Sequence, residues 1–352
     1  MSGLAARSRS FARNAGMSML VPAVILAALW CLSPDSSLSE EEHELWRKVR
    51  AGQEMLARRR DDVRTGDAYA GNDLETADPH GTGMIGVEWS PVTTTLGSLE
   101  AKRTAADPLW SVWALRLFRR LGLEEGDRVA LLSSSSFPGL VFSIVAASER
   151  AGLELFWIHS LGSSTWGANM PGMLWPEMAR LLRSGGFISS KPDYYTPGAG
   201  AEVGLGLPPE GLNMLGEAAE DDDVPLLKGD GLDDMTRSKS ELVRGFAPRL
   251  VINVGGAHTS FGGGVVQPGG GLYSPGDESR TEFGHGVLGD ALESGVQVLH
   301  FLDMRSFSSR AGIPFDGAPR PRFAGAGMAT SAAGLLVYAL FLAFFRRWRR
   351  DE

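Results

Sequence analysis

Residues 126–159, GDRVALLSSSSFPGLVFSIVAASERAGLELFWIH, decide the fold of this 352-residue chain. Residues 128–132 and 153–159 are apolar runs of strand length, and residues 137–151 between them have the length and composition of a helix. Both strands are too continuously apolar for one face to meet water, which is typical of a parallel sheet covered on both sides. A strand, a helix and a second strand in this order predict a parallel crossover unit.

The same alternation continues on either side of this unit. Further apolar runs of strand length occur at residues 84–88, 250–254 and 296–302, and further helices are predicted at 109–121 and 174–184. We therefore predict an α/β fold with an open, mostly parallel, Rossmann-like sheet and helices on both of its faces.

Two apolar segments, residues 17–32 and 324–345, bracket the chain. Three arginines precede the first segment, and the sequence RRWRR follows the second. Because arginine is retained on the cytoplasmic side of membranes, this pattern predicts a two-span protein of the cytoplasmic (inner) membrane, with residues 1–16 and 346–352 as cytoplasmic tails. The first segment is short enough to be a cleaved signal peptide, although the bulky residues at its end favour an uncleaved anchor.

The region between these segments is acidic. Of 34 lysines and arginines, seven lie in the two tails, and of 42 aspartates and glutamates, two do, so the region between carries a formal charge of about −13. Such a surface repels nucleic acid, so an anionic ligand requires a local cationic pocket. The single cysteine, Cys31, excludes an internal disulfide, and stability must come from a packed core.

The composition of the region between the two apolar segments predicts a helix followed by a larger domain. Residues 37–64 predict a charged stalk helix, because Ser39 and Glu42 form a capping-box pattern at its start. Turn-forming residues follow, and residues 84–316 are the predicted extracytoplasmic α/β domain.

Two stretches interrupt the alternation of strands and helices. Residues 189–247 predict an insertion or lid with helices near 209–219 and 232–245. The glycine-rich residues 255–276 predict a loop without regular structure. Long loops inside a compact domain are more often functional than short connections are.

Hydroxyl, amide and cationic side chains follow the ends of the predicted strands. Ligands of open parallel sheets gather at the carboxyl ends of the strands, and hydroxyls and helix starts supply donors to oxyanions. We therefore predict one site there for a ligand with carboxylates or phosphates. The predicted ligand-binding residues are Ser90, Thr93, Thr94, Thr95, Lys102, Arg103, Ser135, Ser136, Ser163, Ser164, Asn169 and Arg305. Each type also has a structural explanation, since serines cap helices, threonines extend strands and cations end helices.

The candidate catalytic residues lie at the same strand ends and are Glu88, Ser134, His159, His258 and Asp303. The carboxylates are candidates for acid or base catalysis, and a serine with either histidine is a candidate nucleophile pair. Both histidines equally fit plain hydrogen bonding. The sequence has no GxSxG, Walker or HExxH motif, and no GxGxxG between a strand and a helix. We predict neither a metal site nor a cofactor.

Four segments together resemble the poly-γ-glutamate system protein family. They are TGMIGVEWSPVTTTLGSLEAKRTAADP (82–108), HSLGSSTWGANMPG (159–172), NVGGAH (253–258) and HFLDMRSFSSRAGIP (300–314). The resemblance covers about residues 80–190 and 249–316. It implies a membrane-anchored component of the poly-γ-glutamate synthesis and export machinery of some bacteria, and it implies no catalytic residues.

These patterns predict an accessory protein that binds or guides poly-γ-glutamate, or a related polyanion, outside the cytoplasmic membrane. Its expected partners are this polymer, membrane subunits of the synthase and the lipid bilayer, with no nucleic acid. Two alternatives remain open: a hydrolase or transferase acting on the polymer, and a structural partner of the synthase complex.

Overall fold

A six-stranded sheet is the centre of the computed structural model, which describes residues 25, 37–64, 74–263, 268–276, 283–323, 334 and 336–341. The strands are β1 (Thr93–Thr95), β2 (Arg128–Ser134), β3 (Glu154–Ser160), β4 (Ser163–Ser164), β5 (Asn169–Met170), β6 (Met173–Leu174), β7 (Tyr194–Thr196), β8 (Leu250–Val254), β9 (Gly271–Tyr273) and β10 (Gln297–Phe301). The helices are α1 (Glu40–Arg64), α2 (Leu74–Ala77), α3 (Leu99–Ala105), α4 (Leu109–Arg120), α5 (Pro138–Arg150), α6 (Trp175–Ser184), α7 (Pro209–Asp221), α8 (Leu232–Phe246), α9 (His258–Phe261), α10 (Val287–Glu293) and α11 (Met304–Ala311). All of these elements belong to one compact unit, Leu38–Pro321.

The order of strands in the sheet is β7-β3-β2-β8-β10-β9. All neighbours are parallel except β9, which runs antiparallel to β10 at one edge. From β2 the chain adds β3 and β7 on one side, and it then returns to add β8 and β10 on the other. The predicted α/β class with a mostly parallel sheet is confirmed, and the order is compatible with a Rossmann-like arrangement.

Apolar side chains cover both faces of the sheet because alternate residues of each strand point to opposite sides. On one face Leu132 and Val251 pack with Val243 of α8 and Leu288 of α10. On the other face, Phe301 of β10 meets Trp110 of α4 edge to face, with ring centroids 5.8 Å apart. Each such fully buried side chain contributes about 1.5–3 kcal/mol to folding. The strands therefore need to be apolar on both sides, as the sequence predicts.

The predicted strand at 84–88 is wrong, although its residues are almost all buried. The side chain of Asn169 takes the place of a neighbouring strand: its Oδ1 accepts from Val87 N at 3.0 Å, and its Nδ2 donates to Val87 O at 2.9 Å. Gly86 lies so close to the Gly167 carbonyl that a Cβ would be 2.1 Å from that oxygen. The segment is an irregular chain buried by a loop.

The two stretches that interrupt the sequence pattern hold regular structure. Residues 189–247 contain both predicted helices, α7 and α8, and also β7, which pairs with β3 and extends the sheet. The prediction of no regular structure at 255–276 is wrong, because this stretch contains α9 and β9.

The predicted localisation, a two-span membrane protein, is contradicted. No helix within the described ranges is both long and apolar enough to cross a bilayer. The longest of them, α1, has 25 residues but carries charged side chains throughout. The prediction is based on the apolar segments 17–32 and 324–345. These segments lie outside the described residues, except for Ile25, Gly334 and residues 336–341.

Helix α1 begins with the predicted capping box. Ser39 N donates to Glu42 Oε2 at 2.9 Å, and Glu42 N donates to Ser39 Oγ at 3.3 Å. Glu42 also accepts two hydrogen bonds of 2.7 Å from Arg116 of α4. The hydrogen bonds from Arg116 lower the pKa of Glu42. One carboxylate thus caps α1 and fixes it to the helical layer.

We expect Glu42→Gln to lower the free energy of unfolding by about 1–3 kcal/mol at neutral pH, because it weakens a bidentate, charge-assisted contact. The folded-state pKa of Glu42 is lowered, so its contribution is present above the ordinary carboxyl pKa and is lost as the pH falls through the folded-state value. Urea denaturation at several pH values measures this. Glu44→Gln on the exposed side of α1 is the matched control, and an equal effect of both variants would contradict the prediction.

Candidate functional site

A cavity of about 410 Å³ lies at the carboxyl ends of the parallel strands. It opens between β2 and β8, where the chain reverses its direction of travel across the sheet. This is the position at which open α/β sheets bind ligands. Its polar and charged lining side chains are Thr94, Thr95, Ser98, Lys102, Ser134, Ser136, Ser160, Ser164, Glu202 and His258.

Lys102 of α3 is the cation of this cavity and is only 3% exposed. Its Nζ donates to Ser136 O, is hydrogen-bonded to Ser164 Oγ at 2.6 Å, and lies 4.1 Å from the centroid of the Phe137 ring. Burial lowers the pKa of Lys102 to about 7. No carboxylate of the described residues forms an ion pair with it. The cavity therefore contains a buried amine that has no counter-ion in the described part of the chain.

Short strand pairing and one glycine position this amine. Strand β1 pairs with β4 and brings the Thr93–Thr95 segment beside Ser164. Between β1 and α3, Gly97 N donates to Thr165 Oγ1 at 2.7 Å. A Cβ on Gly97 would lie 3.0 Å from both Lys102 Cε and Ser164 Oγ. A side chain here would push the lysine and the serine out of place.

The four consecutive serines at the end of β2, residues 133–136, divide between two environments. Ser134 and Ser136 line the cavity, whereas Ser133 and Ser135 point to the opposite side and contact His159. Alternation along an extended chain explains the division. Only every second serine of this run is available to a ligand.

His159 is part of a closed hydrogen-bond chain behind the cavity. Trp157 Nε1 donates to Ser133 Oγ at 2.7 Å, and this hydroxyl contacts His159 Nδ1 at 2.8 Å. His159 Nε2 lies 3.0 Å from Ser135 Oγ, which donates to the Ser160 carbonyl. The chain is complete if the imidazole is neutral and carries its proton on Nε2. Burial and the charge of Lys239 lower the pKa of His159 well below its ordinary value, so the neutral form is retained.

The other candidate catalytic residues lie in different surroundings. Glu88 is exposed and does not line the cavity. Asp303 adopts a left-handed conformation with φ of 49° and caps α11, accepting from Ser306 N at 3.3 Å. His258 is exposed at the rim of the cavity. Ser134 and His258 both line the cavity, but no hydrogen bond joins His258 to a serine among the described residues.

Two of the three predicted cations lie outside the cavity. Arg103 donates to the carbonyls of Ala77 and Thr76 at 2.8 and 2.6 Å and pairs with Asp316 at 3.4 Å. Arg305 stacks over Phe315, with its guanidinium 4.0 Å from the ring centroid. Adjacent residues on a helix point about 100° apart, so Lys102 and Arg103 cannot face one cavity.

The remaining predicted ligand residues support the loops around the cavity. Ser90, Thr93, Ser135, Ser163 and Asn169 are buried and do not line it. Thr93 Oγ1 accepts from Ser90 N at 2.9 Å and from Asn169 Nδ2 at 2.9 Å. These hydroxyls satisfy internal groups and are not presented to a ligand.

The sequence patterns missed Glu202, which lines the cavity and is 2% exposed. Its carboxylate accepts from Lys239 Nζ, Thr259 Oγ1 and Ser160 Oγ. Burial alone raises the pKa of Glu202, but the charge of Lys239 and these donors outweigh it and lower the pKa. Its only sequence signal is a single carboxylate in the glycine-rich run PGAGAEVG, residues 197–204.

Comparisons with protein-family models, with curated proteins and with solved structures found no match for this chain. The chemistry of the cavity is therefore the basis for assigning a function.

Lys102→Met should change how stability depends on pH. Because the folded-state pKa of Lys102 is lowered to about 7, the unfolded chain binds more protons between about pH 7 and the ordinary lysine pKa. The wild-type protein should therefore gain stability relative to the variant as the pH rises through this window, by at most about 1.4 kcal/mol per pH unit.

Urea denaturation at half-unit steps of pH measures this difference. Lys48→Met, which removes an exposed lysine on α1, is the matched control. If the free energy of unfolding differs between the wild type and Lys102→Met by the same amount at every pH, the amine does not titrate in this window.

Proposed function

We propose that this chain binds a carboxylate-bearing ligand in the cavity between β2 and β8, and that the ligand is poly-γ-glutamate or a related anionic polymer. The observation that carries the proposal is the buried Nζ of Lys102, which has no carboxylate partner among the described residues. A bound carboxylate supplies the missing counter-ion. It also raises the protonated fraction of the amine, because an opposite charge within a few ångströms favours the charged form.

The donors around Lys102 favour a singly charged group. The hydroxyl-bearing residues Ser134, Ser136, Ser164, Thr94 and Thr95 all line the cavity with Lys102. These groups are neutral, and Glu202 is already neutralised by Lys239. One cation among neutral donors matches one carboxylate better than a group of higher charge.

The net charge of the protein also favours a local contact. The chain has a formal net charge of −8, so its surface as a whole repels a polyanion. Binding then depends on a single point of positive charge, and the polymer has to be held one carboxylate at a time. The resemblance to the poly-γ-glutamate system family supplies the identity of the polymer. The predicted synthase partners stay a prediction.

We infer that the sheet acts as a Rossmann-like binding domain in this role. Its change of direction between β2 and β8 separates the loops that follow these strands and leaves room for a ligand. The loops after β2, β3 and β8 all contribute to the lining, so ligand contacts come from well-separated parts of the sequence.

Retention of poly-γ-glutamate by the purified full chain tests the proposal. We expect Lys102→Met to weaken binding by about tenfold to a hundredfold, since a hydrogen bond to a charged group is worth about 1.5–3 kcal/mol. Affinity of the wild-type protein should fall as the pH rises above about 7, because the free amine then loses its proton. Equilibrium binding of labelled polymer at several pH values measures both effects.

Arg305→Met is the matched control, because it removes one positive charge outside the cavity. An equal loss in both variants would indicate non-specific attraction and reject the cavity as the site. Binding that is absent in the wild type, or unchanged in Lys102→Met, would reject the proposed function.

A further inference from the structure

The contact between Ser164 and Lys102 has the geometry of a nucleophile and its base. Ser164 Oγ and Lys102 Nζ are 2.6 Å apart. An unprotonated amine donates two hydrogens and accepts one. Lys102 Nζ donates to Ser136 O, so its lone pair is available to the hydroxyl hydrogen of Ser164. When Lys102 is unprotonated, its amine can therefore accept the proton of the Ser164 hydroxyl.

Several groups hold this pair in place. Ser164 N donates to Ser136 Oγ at 3.0 Å, and the Phe137 ring covers Nζ at 4.1 Å. Gly97 leaves the space that Lys102 Cε and Ser164 Oγ occupy. A nucleophile needs such fixed geometry, because effective catalysis depends on how well the reacting groups are oriented.

Ser164 is also accessible in the way a nucleophile must be. It is 7% exposed and lines the cavity. The imidazole that contacts the serine run, His159, is fully buried behind the wall and uses both ring nitrogens in contacts with Ser133 and Ser135. Burial lowers the pKa of Lys102 to about 7, so an unprotonated amine is present near neutral pH.

We propose that Ser164 is the nucleophile and Lys102 the general base of an acyl-transfer activity on an amide or ester whose acyl group enters this cavity. This goes beyond ligand binding and does not depend on the ligand being a polymer. Serine hydroxyls need an adjacent base to attack a carbonyl, and a lysine amine serves when it is held unprotonated.

The reaction balances without any further reagent. Ser164 Oγ bonds to the substrate carbonyl carbon while its proton passes to Lys102 Nζ. The bond from this carbon to the leaving nitrogen or oxygen then breaks, and the leaving group takes the proton from Nζ. Water or an acceptor amine next attacks the acyl ester and gives a proton to Nζ. Ser164 Oγ leaves with that proton, which restores both side chains.

The activity and the proposed binding use the same amine in different states. A carboxylate ligand binds the protonated amine, whereas the nucleophile needs the unprotonated one. A carboxylate in the cavity should therefore slow acylation. Acylation by a neutral ester can still succeed if the polymer fails to bind, so the two proposals fail separately.

The test is acylation of the full chain by p-nitrophenyl acetate, followed by intact-protein mass spectrometry and peptide mapping. We expect one acetyl group on Ser164, removable by hydroxylamine because it is an ester. The rate should rise with pH around an inflection near 7. Lys102→Met should lower the rate by at least about a hundredfold and remove the inflection, as expected for loss of a general base.

Two variants of the serines complete the design. Ser164→Ala should lose the label, and Ser163→Ala should keep it, because the neighbouring hydroxyl contacts Ser135 O and does not line the cavity. If Ser164→Ala does not fold, Ser164→Cys retains a nucleophile of similar size and should carry the acetyl group as a thioester. Thermal unfolding of each variant shows whether it is folded.

Three results would overturn the proposal. The first is no acylation of the folded wild-type chain. The second is a label that persists in Ser164→Ala or lies on Lys102 as a hydroxylamine-stable amide. The third is an unchanged rate and pH profile in Lys102→Met.

Discussion

The burial of Lys102, which has no counter-ion among the residues that the structure describes, is the constraint on which the rest of the site depends. Removing an ammonium group from water costs several kcal/mol even after the protein relaxes around it. Lys102 recovers part of this from the Ser136 carbonyl, the Ser164 hydroxyl and the face of Phe137. None of these carries a charge, so the amine is held by dipoles alone. Its protonation state is therefore sensitive to whatever enters the cavity, and both proposed roles follow from that sensitivity.

A second buried lysine in the same region shows the contrast. Lys239 is 4% exposed, similar to Lys102, but it forms an ion pair with Glu202. The two lysines lie in equally dry surroundings and differ in their partners. The pair of Lys239 and Glu202 holds the wall together and leaves no charge for a ligand. Lys102 contacts only neutral groups of the wall among the described residues, so its charge is available to a ligand.

Much of the fold follows from the sequence, whereas the detail of the site does not. Strands β2, β3, β8 and β10 are apolar on both faces, and few structures other than a covered parallel sheet fit that pattern. Residues 84–88 have the same pattern, but the backbone of Val87 is hydrogen-bonded by the side chain of Asn169, a distant residue that no local pattern reveals. A cavity does lie at the carboxyl ends of the parallel strands, where ligands of open α/β sheets gather. The sequence does not show that Ser134 lines the cavity and Ser133 does not, nor that Lys102 does and Arg103 does not. The direction of each side chain decides this. Glu202 acquires Ser160, Lys239 and Thr259 as partners only through long-range packing.

The loop that carries Glu202 has a consequence for how ligands exchange. Ala199, Ala201 and Glu202 all adopt left-handed backbone conformations, with φ of 58°, 56° and 58°, and each such non-glycine residue costs about 1–2 kcal/mol. The buried contacts of Glu202 with Lys239 and Thr259 hold the loop in this conformation. Opening this side would break them, so this wall acts as a fixed barrier. A ligand can reach the cavity past lining residues that are exposed to solvent, among them Leu96, Ser98 and His258, while the Glu202 contacts stay intact.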